Sequence, residues 1–215
     1  KEHLSLYFIM GSTNTLARDP LSILDEALEA GITLFQLREK GEGALTGVAK
    51  EEFAKACLQK CREAHIPFIM NDEIALAQKI GADGVHIGQE DISLSKARAL
   101  LGNQMWIGVS AHNPEEALIA QKNGADYIGM GPIFETTTKK DTRPVSGDEQ
   151  LIATRKLLPN FPIVAIGGIN HDNLHIPLLA GADGVAIISA ISKAEQPYQA
   201  TKHLKQKIQE VKQHG

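Results

Sequence analysis

Short apolar runs rich in β-branched and aromatic residues recur along the chain, at 4–10, 32–37, 67–70, 84–87, 106–109, 127–130, 162–166 and 184–188. Between them lie charged segments with helical periodicity, such as 45–64 and 114–123. Strand and helix alternating in this way predict parallel βαβ units. Eight units favour an α/β chain closed as a single (β/α)8 TIM barrel over residues 1–215. An open doubly wound sheet is the alternative.

One local pattern repeats. Gly81-Ala82-Asp83, Gly124-Ala125-Asp126 and Gly181-Ala182-Asp183 each stand just before an apolar run, and Gly31-Ile32 is a looser copy. The glycine suits a left-handed position after a helix. The aspartate suits a cap or turn in a short αβ loop. This pattern reads as structure at the stability face of a barrel, without chemistry.

A barrel binds substrate where its strands end. In the second unit, alternation turns Phe35 and Leu37 toward the helices and Gln36 and Arg38 inward, with Lys40 following at the same period. An inward arginine is costly unless it meets an anion at the mouth. The third unit ends Asn71-Asp72, and the fourth reads His86-Ile87-Gly88-Gln89-Glu90-Asp91. Two carboxylates from adjacent strand ends can share a Mg2+ with phosphate oxygens and water. Asp91 also suits a helix cap, and His86, on the inward face, suits either substrate contact or a satisfied core position. Ser110 ends the fifth unit, as a phosphate ligand or as a cap before Asn113-Pro114.

The loop after the sixth unit, about 134–147, combines Thr136, Thr137 and Thr138 with Lys139, Lys140 and Arg143. Its length and cations suit a lid over a phosphorylated ligand. Gly167-Gly168 after the seventh unit, and Ile188-Ser189 after the eighth, occupy the usual phosphate position of such barrels.

Composition narrows the possibilities. The chain is 43% hydrophobic and 22% charged with a net charge of −4, so an extended nucleic-acid surface is not expected. No apolar run reaches membrane-spanning length. Lys1-Glu2-His3-Leu4 has no signal-peptide core and no initiator Met, which leaves room for upstream residues. The two cysteines, Cys57 and Cys61, stand one helical turn apart and read as buried thiols rather than as a metal site, in keeping with a reducing cytoplasm. Small-molecule substrates are the expected partners, with no nucleic acid and no membrane. A homo-oligomer is compatible with the sequence.

The cations and hydrogen-bonding groups outnumber the needs of one monophosphate. Arg38, Lys40, Lys139 and a metal between Asp72 and Asp91 would gather on one side, and Gly167, Gly168 and Ser189 on the other. Two phosphorylated substrates follow, one of them a diphosphate that departs. No Ser/His/Asp set, Schiff-base lysine or glycosidase carboxylate pair is evident.

Gln36-Leu37-Arg38-Glu39-Lys40, Asn71-Asp72, the segment from Gly84 to Asp91, Gly129-Met130-Gly131-Pro132-Ile133-Phe134 with Thr136-Thr137-Thr138-Lys139-Lys140, and Val164-Ala165-Ile166-Gly167-Gly168-Ile169 resemble the thiamine-phosphate synthase family. The resemblance implies a transferase of thiamine biosynthesis. It would couple hydroxymethylpyrimidine diphosphate with thiazole phosphate, giving thiamine monophosphate and diphosphate by dissociative loss of Mg-diphosphate. It also implies that Arg38, Lys40, Asn71, Ser110 and Lys139 hold the diphosphate, with Arg38, Lys40, Ser110 and Lys139 catalytic. Asp72 and Asp91 would carry Mg2+. Gln36 and His86 would line the pyrimidine pocket, Thr136, Thr138, Gly168 and Ser189 would hold the thiazole phosphate, and Gly167 and Ile188 would also bind substrate. The rival readings are a thiazole tautomerase paralogue, which should lack the paired aspartates and the Thr-Lys-Lys loop, and a non-catalytic barrel that binds thiamine precursors.

Overall fold

The computed structural model describes residues 1–136 and 145–214. Thr137, Thr138, Lys139, Lys140 and most of the expected lid lie outside the described residues. Eight parallel strands close into a barrel in chain order. They are β1 (Leu6–Met10), β2 (Leu34–Leu37), β3 (Phe68–Asn71), β4 (Gly84–Ile87), β5 (Trp106–Ala111), β6 (Tyr127–Met130), β7 (Ile163–Ile166) and β8 (Gly184–Ile187). Closure comes from β1 pairing β8, with Phe8 beside Ile187. The expected first strand began too early, because Glu2–Leu4 form a 3-10 turn across the bottom of the barrel.

Around the strands lie α1 (Pro20–Ala30), α2 (Gly47–Glu63), α3 (Ile74–Ile80), α4 (Leu94–Leu101), α5 (Pro114–Lys122), α6 (Gly147–Leu157), α7 (His175–Leu179), α8 (Ser189–Ser192) and α9 (Pro197–His214). Period-two alternation sorts the strand residues into two layers. Phe8, Phe35, Leu37, Phe68, Val85 and Ile128 pack outward against helix residues such as Ile23, Leu24 and Leu58. Tyr7, Ile9, Leu34, Ile69, Tyr127, Val164 and Ala186 fill the interior. Cys57 and Cys61 are buried free thiols on α2, as their spacing predicted.

The repeated Gly-Ala-Asp pattern has a single physical explanation. Gly81, Gly124 and Gly181 take positive φ of 73°, 90° and 105° as the chain leaves α3, α5 and α7. The aspartate two residues later then clamps the base of the preceding strand. Asp83 accepts from Phe68 N–H at 2.8 Å, Asp126 from Ile107 N–H at 2.7 Å and Asp183 from Ile163 N–H at 2.9 Å. Thr33, after the looser copy at Gly31, does the same for Leu6 N–H at 2.8 Å. An arginine buttresses the later copies: Arg98 binds Asp126 and Gly124 O, and Arg155 binds Asp183 and Gly181 O. All of this lies at the N-terminal ends of the strands, away from the mouth.

Candidate functional site

The mouth at the opposite end holds a cavity of about 310 Å³. Its wall includes Lys40, Asp91, Ser110, Thr136, Gly167, Gly168, Ile188 and Ser189, all expected from the sequence. Gln36, Arg38, Asn71, Asp72 and His86 stand behind that wall. Gln36, Asn71, Asp72 and His86 connect to it through the hydrogen bonds and ion pairs described below.

On one side is a charged cluster. Asp72 leaves β3 with φ of 60°, a left-handed conformation that aspartate tolerates. Its Oδ2 accepts from Asn71 Nδ2 at 2.7 Å and pairs with the Lys40 ammonium. Asp91 accepts from Gly88 N–H at 2.7 Å, which tightens the turn after β4. It is not a helix cap, since Ser93 holds the position before α4. Burial raises the Asp72 carboxyl above its usual range and Asp91 adds to this, outweighing Lys40. Asp91 is held low: its own burial opposes this, but hydrogen bonds to Asp72 and Gly88 prevail. Partial burial likewise acts against the Lys40 charge, and Asp72 more than restores it. Two neighbouring carboxylates of this kind could share a hard cation. Among the described residues no group of three or more His, Cys, Asp or Glu could hold a metal. A hard cation here would complete its shell with water and substrate oxygens, as Mg2+ does.

Glu39, which the sequence left without a role, is buried, 6% exposed. It accepts from Ser12 N–H at 2.8 Å, Ser12 Oγ at 2.5 Å and Leu45 N–H at 2.7 Å. These bonds tie the loop after β1 to the loop after β2, and so steady the segment that carries Arg38 and Lys40. Arg38 is half-buried, and its N–H continues the ladder to Met10 O at 2.9 Å.

Polar groups also run through the barrel interior. Gln36 Nε2 donates to Tyr7 OH at 2.7 Å, and Tyr7 OH lies 2.9 Å from Tyr127 OH. Tyr127 OH is 3.1 Å from His86 Nδ1, and His86 Nε2 is 3.1 Å from Ser110 Oγ. Burial pushes both phenols far above their usual range, so they keep their protons. Glycines make room for this chain: a Cβ on Gly108 would stand 2.1 Å from Tyr127 Cζ and 2.6 Å from His86 Nδ1. Ser110 therefore belongs to the site, and the cap of α5 is Asn113, which accepts from Glu116 N–H at 2.9 Å. Tyr7 and Tyr127 were invisible in the sequence because an aromatic in an apolar run reads as core.

Two further wall residues went unnoticed. Gln89 Nε2 donates to Ser110 O at 2.5 Å. His112, just past β5, is bonded through Nδ1 to Glu116 Oε2 at 2.7 Å, an i,i+4 pair that is recognisable only once α5 is placed.

The other side of the cavity is small and nearly uncharged. Gly167 and Gly168 have φ of 102° and 65°, and a Cβ on Gly168 would come 2.5 Å from Glu135 O. The chain after β7 can thus pass under the start of the loop after β6. Ser189 is the first residue of α8. Ile166, Ala186 and Ile188 supply an apolar floor. The arrangement offers a charged end, a backbone-lined end and an apolar surface between.

Comparison with known proteins places the chain in a family. The family model described as thiamine monophosphate synthase matches residues 6–191. The thiamine-phosphate synthase of Lysinibacillus sphaericus is 54% identical over 195 residues, covering 91% of each chain. That of Bacillus cereus is 53% identical over 212 residues, covering 99% of this chain and 92% of the relative. Among solved structures, thiamine phosphate pyrophosphorylase from Pyrococcus furiosus superposes with a TM-score of 0.87 at 36% identity, covering 98% of both chains.

Proposed function

The chain belongs to the thiamine monophosphate synthase family, and from that premise we propose how its mouth performs the synthase reaction. The activity is that of a thiamine-phosphate synthase, a transferase that joins a pyrimidine diphosphate to a thiazole phosphate. The observation that carries the residue assignments is the division of one cavity into a charged half and a backbone-lined half.

In the charged half, Lys40, with Arg38 and Lys139, binds the diphosphate and balances its charge as the bond to the pyrimidine methylene breaks. Asn71 orients Asp72, and Ser110 donates a hydrogen bond to the leaving group. Asp72 and Asp91 would hold Mg2+, which would supply positive charge against the departing diphosphate. Gln36 and His86 border the pyrimidine. In the other half, Thr136, Thr138, Gly167, Gly168, Ile188 and Ser189 hold the thiazole phosphate through N–H and O–H donors. The thiazole nitrogen then attacks the pyrimidine cation across the floor made by Ile166, Ala186 and Ile188, where little water competes. A lid over the ligands at 134–147, most of which lies outside the described residues, is part of the same proposal. We infer one domain over residues 1–215 working in the cytoplasm, in keeping with the buried free thiols Cys57 and Cys61.

The test is product formation. The protein with both substrates and Mg2+ should form thiamine phosphate and diphosphate in equal amounts, and EDTA should stop it. Absence of product with metal present would overturn the reading, and full activity in EDTA would overturn the metal assignment.

A further inference from the structure

The hydrogen bonds inside the barrel form one continuous chain, Gln36–Tyr7–Tyr127–His86–Ser110, that crosses from β2 through β1, β6 and β4 to β5. Gln36, Tyr7 and Tyr127 are 2%, 1% and 3% exposed, so water does not substitute for a missing partner there. An unpaired polar hydrogen at such depth is costly.

This requirement gives the chain a direction. An amide –NH2 can only donate, so with Gln36 Nε2 facing Tyr7 the Tyr7 oxygen must accept. The Tyr7 hydrogen then points to the Tyr127 oxygen, the partner that remains. The Tyr127 hydrogen points in turn to His86 Nδ1, which must be bare to accept it. In the neutral ring the proton then sits on Nε2 and is donated to Ser110 Oγ. Ser110, already accepting from inside the barrel, has its own hydrogen left for the cavity that it lines. Any break in this order strands a buried hydrogen: were His86 to donate from Nδ1, either Tyr127 or Tyr7 would hold one with no acceptor.

We propose that Tyr127 is a positioning residue: its phenol, ordered by Gln36 through Tyr7, holds His86 as the Nε2–H tautomer and so aims the Ser110 hydroxyl hydrogen at the departing diphosphate. The proposal rests on the synthase reading only for the identity of what Ser110 meets. The tyrosines thereby join the pyrimidine side, at Gln36, to the diphosphate side, at Ser110. Gly108 and Gly129 are part of the device, because a side chain at Gly108 would overlap Tyr127 and one at Gly129 would press on the His86 ring at 3.1 Å.

The ring tautomer tests this without reference to turnover. Long-range 15N–1H spectra of the labelled protein distinguish the two ring nitrogens, and the signal lost in His86→Gln identifies His86 among the eight histidines. The expected result is a proton on Nε2 and a bare Nδ1. A proton on Nδ1, with or without one on Nε2, overturns the proposal, as would the opposite orientation of the Gln36 amide, which reverses every bond. Tyr127→Phe should lose the fixed tautomer. It should also slow kcat about tenfold, the equivalent of roughly one misaimed hydrogen bond, while leaving the KM for thiazole phosphate unchanged. A folded Tyr127→Phe protein with wild-type tautomer and wild-type kcat overturns it as well. If the wild-type protein makes no thiamine phosphate, the synthase reading fails by itself, and the tautomer still answers for the relay.

Discussion

Replacing Asp183 with alanine should cost stability and leave catalysis alone. Asp183 accepts from Ile163 N–H at 2.9 Å and pairs with Arg155 at 2.7 Å, with Lys1 3.0 Å away. Ile163 is fully buried, so its N–H would lose its side-chain acceptor where no water reaches. Arg155 would be less affected, since Gly181 O, Leu158 O, Pro159 O and Phe161 O still accept from it. The stranded amide and the lost charge-assisted bond together come to about 2–4 kcal/mol, or a fall in Tm on the order of 10 °C for a chain of this size. The loss should depend on pH. Burial acts to raise the Asp183 carboxyl, but the Ile163 amide, Lys1 and Arg155 outweigh it and hold the carboxyl below its ordinary 3.8. A depressed carboxylate contributes its stability above the ordinary value and loses it as pH falls through the folded value. Urea unfolding at neutral pH should therefore show the full difference between wild type and Asp183→Ala, and the difference should narrow well below 3.8. The kcat should not change, because the clamp lies at the end of the barrel opposite the cavity. A loss under about 0.5 kcal/mol, the size of an ordinary surface substitution, would refute the reasoning. So would a loss independent of pH, or a matching fall in kcat.

Other consequences are open to direct measurement. Gly108→Ala should destabilise the protein by about 1–3 kcal/mol in urea unfolding, through overpacking against Tyr127 and His86; no measurable change would mean the interior is looser than described. Both cysteines should resist a thiol reagent in the native protein at mildly alkaline pH and react in denaturant. Burial pushes Cys61 up to about 12 and Cys57 well above its usual value, so rapid labelling of the native protein would contradict the packing of α2.

The barrel was legible because its signals are local and repeated. Each strand is a short apolar run, and the Gly-Ala-Asp copies announce the next strand through one mechanism, a left-handed helix exit followed by a clamp on the strand before. Strand alternation also placed Gln36 and His86 inward correctly, since parity survives small errors in strand ends. What alternation could not show was partnership. Tyr7 and Tyr127 look like core until the closure of β1 and the neighbouring strands brings their hydroxyls together. Glu39 has outward parity, yet its three donors come from segments 27 and 6 residues distant. The competing cap readings of Ser110 and Asp91 could be decided only by seeing that Asn113 and Ser93 hold those positions.

The two anion sites proposed for the one mouth are separated by a pair of Michaelis constants measured in two variants. Asp91→Asn should raise the KM for the pyrimidine diphosphate and the Mg2+ requirement while leaving the KM for thiazole phosphate near wild type. Ser189→Ala should do the reverse. Both variants weakening both substrates alike would contradict the division of the cavity.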